Sequence, residues 1–103
     1  MSTFNDLVAS KELVLVDFFA EWCGPCKMQS PVLKELASQI PTDRVKIIKI
    51  DVDKNQELAS KMGIRGVPTL VLYKDGQPVW RQSGMVPLGE LKRLISSHLI
   101  HSV

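Results

Sequence analysis

With 103 residues, 45% of them apolar and 23% charged, the chain has the balance of a soluble globular protein and is expected to form a single domain over 1–103, with one core and no room for a second. Its net charge is +2, from 13 basic and 11 acidic residues, and the basic residues stand singly apart from Lys92-Arg93. That argues against a nucleic-acid surface. No apolar run approaches the ~18 residues a membrane helix needs, and Met1-Ser2-Thr3-Phe4-Asn5-Asp6 has neither a positive segment nor a following apolar stretch. No membrane association and no signal peptide are expected.

Taken in order, Thr3 and Asp6 form a capping pair for a short helix that turns Phe4, Leu7 and Val8 inward. Leu13 to Phe19 is too apolar for a strand with one wet face and reads as buried on both sides, as in a parallel sheet. A helix is predicted from about Cys23 to Ile40, kinked at Pro31, with Leu33, Leu36 and Ile40 on its buried side and Pro41 as its stop. Val45 to Val52 is a second strand, with Ile47 and Lys49 on one face and Ile48, Ile50 and Val52 on the other.

Asn55 is placed to cap a helix through Leu58, Ala59 and Met62, closed by Gly63 in the left-handed position. Thr69 to Tyr73 is a third strand, and Asp75-Gly76 turns it back into a fourth near Val79 to Ser83. Gly84 breaks that strand, and Pro87 opens a last helix with the stripe Leu88, Leu91, Leu94, Ile95 and Leu99. The order α-β-α-β-α-β-β-α predicts an α/β fold with a mixed central sheet of about four strands and helices on both faces.

The only two cysteines lie in Trp22-Cys23-Gly24-Pro25-Cys26-Lys27, at the junction of the first strand and the long helix. Three positions apart, they are no long-range staple; in a reducing, cytosolic compartment such a pair is chemical rather than structural. Thiol-disulfide exchange needs an ionised, reachable sulfur. Cys23, before the first helical turn, is the expected nucleophile and the expected exposed member, its thiolate favoured by unpaired amides and the helix dipole. Cys26, one turn later and expected to be more buried, is the resolving thiol. Gly24 and Pro25 keep the loop compact, and Pro25 brings no amide to the sulfur, which favours the reducing dithiol.

Zinc is the weaker reading, since it needs about four ligands and the other soft candidates, His98 and His101, stand at the far end of the chain. No metal is expected. Those histidines read as surface residues in the last helical turn.

These segments carry a resemblance to the thioredoxin family over nearly the whole chain: Val16 through Met28, Pro31, Lys49, Asp51, Gly63 through Thr69, Lys74-Asp75-Gly76, Gly84 and Gly89. The resemblance implies a thioredoxin-like fold and a protein-disulfide reductase that cycles between dithiol and disulfide. It implies no bound cofactor, electrons from NADPH through a separate flavoprotein, thioredoxin reductase, and disulfide-containing substrate proteins as partners. Asp17, a carboxylate in an apolar strand that needs compensation, matches the family's buried acid and by implication accepts the proton of Cys26. Lys49 matches the lysine that modulates that acid, and a purely structural Asp17–Lys49 pair is the alternative.

Val67-Pro68 matches the family's cis-proline loop, implying that the Val67 backbone pairs with a substrate segment. Trp22, Gly66, Ser83, Gly84 and Met85 are implied to complete a shallow apolar groove. The chain departs from the family at Phe19, where many members have tryptophan, and at the bulky Met85. There is also no room for a strand before the first helix, so a short form lacking the first strand is expected, with Val45–Val52 at a sheet edge; a monomer is nevertheless expected. Two other functions stay open: a disulfide oxidase or isomerase, and a thioredoxin-like binding module whose dithiol is incidental.

Overall fold

The computed structural model describes residues 3–100. The elements run α1 Phe4–Val8, β1 Leu13–Phe19, α2 Gly24–Ala37, β2 Val45–Asp51, α3 Gln56–Lys61, β3 Thr69–Lys74, β4 Gln77–Ser83 and α4 Leu88–Ile100. The sheet has four strands in the order β2-β1-β3-β4. β1 and β2 are parallel and joined through α2, whereas β3 is antiparallel to both β1 and β4. Among the described residues, β2 has no outer neighbour, as expected.

Strand periodicity decides which core each residue joins. Leu13 and Leu15 of β1 point to one face, where Leu33 and Leu36 of α2 and Leu91 and Ile95 of α4 cover them. Val14, Val16 and Phe18 point to the other, against Val8 and Phe4 of α1, Leu58 of α3 and Met62, which closes α3. Phe4 meets Tyr73 edge-on at 5.7 Å between ring centres, which fastens α1 to the sheet. Both faces of β1 are thus dry, and this is why its sequence lacks alternation. Asp17 follows Leu13 and Leu15 in phase, so its carboxylate lies on the α2 side.

The Thr3–Asp6 capping box forms in both directions, at 3.2 Å each way, and Asp75 and Gly76 both take positive φ in the β3–β4 turn. Two boundaries shift by more than one residue from expectation, and one expected cap does not form. Helix α2 ends at Ala37, not Ile40, because the Ser38 and Gln39 amides turn back to Glu35 and Leu36; Ile40 still packs at the margin of the core. β4 begins at Gln77, two residues early, since the tight turn delivers the chain directly into pairing with Lys74. Asn55 stands at the N-cap of α3 as expected, but its side chain makes no capping bond: its amide instead donates to the Asp51 carbonyl at 2.9 Å, bracing the β2–α3 turn. Among the described residues no helix is long and apolar enough to cross a membrane. His98 is half-buried, with Nδ1 at 2.9 Å from the Leu94 carbonyl oxygen, and His101 lies outside the described residues.

Candidate active site

Cys23 is the N-cap of α2, with extended backbone, and Gly24-Pro25-Cys26 forms the first helical turn. The two sulfurs are joined as a disulfide across a Cα–Cα distance of 5.3 Å. Pro25 is tolerated there because an amide in the first turn has no intrahelical partner to lose. The Cys26 amide is the donor that remains, and it points at Cys23 Sγ from 3.1 Å. The same interaction would stabilise a Cys23 thiolate, as would the positive end of a 14-residue helix.

Burial does not separate the two cysteines. Cys23 is 3% and Cys26 4% exposed, against the expectation of an exposed Cys23 and a more buried Cys26. The physical reason is the wall opposite: the Val67 carbonyl oxygen stands 3.6 Å from Cys23 Sγ and covers it. What distinguishes the sulfurs is their setting. Cys23 faces the cap amide and the Val67 loop, whereas Cys26 lines a cleft of about 150 Å³ with Phe19, Ser30 and Lys49.

The Val67–Pro68 peptide bond is cis. The surrounding segments are tied into one surface by the Gly84 amide, which donates to the Pro68 carbonyl at 2.8 Å, and by Thr69. The Thr69 hydroxyl donates to the Gly66 carbonyl at 2.6 Å and lies 3.1 Å from the Ser83 hydroxyl. Gly66, Pro68, Ser83 and Gly84 are therefore tied to the loop whose Val67 carbonyl stands beside Cys23. Gly84 has φ +90, a conformation that disfavours any side chain here. Trp22 is 71% exposed, and its indole N–H donates to Asp53 Oδ2 at 2.8 Å. Met85 is half-buried.

Asp17 is fully buried, and among the described residues neither carboxylate oxygen has a hydrogen-bond partner. Burial pushes its pKa up from 3.8 to about 6, with the Lys49 charge acting in the opposite direction. Lys49 is the parallel-ladder partner of Asp17. Its ammonium nevertheless donates to Ser30 Oγ at 3.1 Å and sits 4.6 Å from the centre of the Phe19 ring. Phe19 thus provides an aromatic seat for the cation.

Residue-type reasoning missed several of these partners. Gln29, fully buried, makes two bonds with one residue: it donates to the Val86 carbonyl at 3.0 Å and accepts from the Val86 amide at 2.7 Å. This clips the segment after Gly84 to α2. The available signal was a polar residue on the buried stripe Cys26, Gln29, Leu33, Leu36. Asp53 and Ser30 carried no such signal. Among the described residues, no cluster of His, Cys, Asp or Glu could hold a metal ion.

The sequence profile of the Thioredoxin family matches residues 1–97. The thioredoxin of Chlamydia muridarum is 50% identical over 95 residues, covering 92% of this chain and 90% of that relative. The thioredoxin of Bacillus subtilis is 50% identical over 90 residues, covering 87% and 86%. Among solved structures, a mutant thioredoxin from Halobacterium salinarum superposes with a TM-score of 0.83 at 49% identity, covering 91% of this chain and 80% of that one. With a redox-capable cysteine pair at the head of a helix, facing a cis-proline loop, and with these likenesses along almost its whole length, the chain belongs to the thioredoxin family of disulfide oxidoreductases.

Proposed function

We propose that the chain, acting as a single domain over 1–103 and as a monomer, reduces disulfides in other proteins, with Cys23 as nucleophile and Cys26 as resolving thiol. In the reduced protein, the Cys23 thiolate attacks one sulfur of a substrate disulfide. A Cys23–substrate bond forms, the substrate S–S bond breaks, and the leaving thiolate takes a proton from solvent. Cys26 then gives its proton to Asp17 and attacks Cys23 Sγ. The Cys23–Cys26 disulfide closes, the second substrate sulfur departs as a thiolate that takes a proton from solvent, and Asp17 releases its proton to solvent, so two electrons have passed to the substrate.

The observation that carries this reading is the Cys26 amide 3.1 Å from Cys23 Sγ at the start of α2: it favours charge on Cys23 and leaves Cys26 to attack from one turn away. Lys49 modulates Asp17, whose raised pKa of about 6 suits a proton acceptor. Trp22, Gly66, Val67, Pro68, Ser83, Gly84 and Met85 form the groove that receives an extended substrate segment, and Gly24 and Pro25 shape the turn between the sulfurs. Electrons return from NADPH through thioredoxin reductase, in the cytoplasm.

The test is reduction of insulin disulfides. Wild type is expected to turn over and Cys23→Ser to be inactive, while Cys26→Ser accumulates a mixed disulfide with the substrate. Accumulation in Cys23→Ser instead reverses the two roles, and an active double serine variant sinks the reading.

A further inference from the structure

Helix α3 ends in a Schellman closure: the Gly63 amide donates to the Ser60 carbonyl at 3.0 Å, and the Ile64 amide donates to the Ala59 carbonyl at 2.9 Å. Gly63 supplies the left-handed residue at φ +65. The amides of the turn are thereby used. The carbonyls of Met62 and Gly63 are taken by a residue from another element: Arg81 of β4 donates Nη1–H to Met62 at 2.6 Å and Nη2–H to Gly63 at 2.7 Å. A planar guanidinium suits two adjacent carbonyls in a way that a single ammonium head does not. Its charge also lies at the negative end of the helix.

We infer that Arg81 is a positioning residue for protein substrates: it anchors the start of the 63–68 loop so that the Val67 backbone is held ready beside Cys23. Only Ile64, Arg65 and Gly66 separate the anchored Gly63 from Val67, whose carbonyl oxygen is 3.6 Å from the sulfur. The far end of the same loop is held by the Gly84 amide on the Pro68 carbonyl at 2.8 Å. Arg81 lies towards the C-terminal end of β4 and Gly84 directly follows that strand, three positions on. One strand end therefore grips both ends of the loop, and the two walls of the groove are fixed relative to each other.

The consequence is selective. A protein disulfide arrives in an extended segment that must align with the Val67 backbone, so its binding depends on a loop that is already in place. A small aromatic disulfide needs only the sulfur and has nothing to align. Arg81 itself is exposed and distant in function from the thiols, so it leaves their reactivity alone. This inference rests on the groove assigned under the proposed function.

The experiment compares wild type, Arg81→Lys and Arg81→Met in reduction of insulin, with dithiothreitol as the electron source, and in single-turnover reduction of a small aromatic disulfide by the pre-reduced proteins freed of dithiothreitol. Arg81→Met is expected to raise KM for insulin about three- to tenfold with kcat held, while its rate with the small disulfide stays at the wild-type level. Arg81→Lys, which keeps the charge but loses the fork, falls between the two. An unchanged KM for insulin, or an equal loss with both substrates, overturns the positioning role. A wild-type protein that reduces neither substrate overturns the reductase reading and this inference with it.

Discussion

Asp17 and Lys49 stand directly opposite each other on neighbouring parallel strands, yet the ammonium is engaged by Ser30 and Phe19, and both carboxylate oxygens lack a hydrogen-bond partner among the described residues. The lysine lowers the acid's pKa through space without neutralising it, so burial wins and the pKa rises to about 6. An uncompensated buried carboxylate is costly in stability, and that cost accords with the proton-acceptor role proposed for Asp17.

That cost has a definite pH dependence. Because the folded-state pKa lies above the unfolded one, the native state retains a proton that the unfolded chain has released between about pH 4 and 6. Wild-type stability therefore falls as pH rises through that window and stays lower above it. Asp17→Asn, neutral throughout, is expected to be more stable than wild type by ~3 kcal/mol at pH 8, with the difference shrinking towards zero below pH ~4. Denaturant unfolding of the oxidised proteins at both pH values measures it, and a gain of equal size at both would contradict the assigned cause.

Lys49→Gln removes the cation that lowers the Asp17 pKa. The midpoint of the Asp17 carboxyl titration, followed by carbon NMR, is expected to move upward from wild type. A downward movement would mean that some other group, not Lys49, holds the acid ionised.

Gln29→Leu replaces a clip on Val86 with an apolar group of similar size and leaves a buried amide and carbonyl unsatisfied. Each unmade bond of this kind costs ~1–3 kcal/mol, so a total loss of about 2–6 kcal/mol is expected for the two. The Val86 amide should also lose hydrogen-exchange protection before the rest of the sheet does. A loss under ~0.5 kcal/mol with unchanged protection would show that the clip is dispensable.

Trp22 is held out into solvent by Asp53. Asp53→Ala frees the indole, and the expected results are a drop in the Trp22 Nε1 heteronuclear NOE and a rise of about two- to threefold in KM for insulin. Asp53→Asn keeps an acceptor and should retain most of both. An unchanged NOE in the alanine variant would mean that packing, not this bond, orients the ring.

Much of the fold was legible because its signals are local. The capping box at Thr3 and Asp6, the Asp75-Gly76 turn, the all-apolar run of β1 and the stripe of α4 each reside within a few residues of one another. The site was legible where a short motif carried it, as at Cys23 and Cys26, and where a resemblance supplied it, as at Val67-Pro68. The exposure of Cys23 is not legible in the sequence because the covering atom, the Val67 carbonyl, belongs to a segment more than forty positions away.

By itself, then, the order of residues determined which segments become helix and strand, which faces are apolar, and where the two thiols meet the start of a helix. It did so because backbone geometry and side-chain periodicity act over one or two turns. Only the tertiary structure decided the partners of the polar groups: Gln29 on Val86, Asp53 on Trp22, Lys49 on Ser30 rather than on Asp17. Those pairings depend on which elements pack together and at what distance, and a hydrogen bond lost or gained over an ångström leaves no trace in the spacing of residues along the chain.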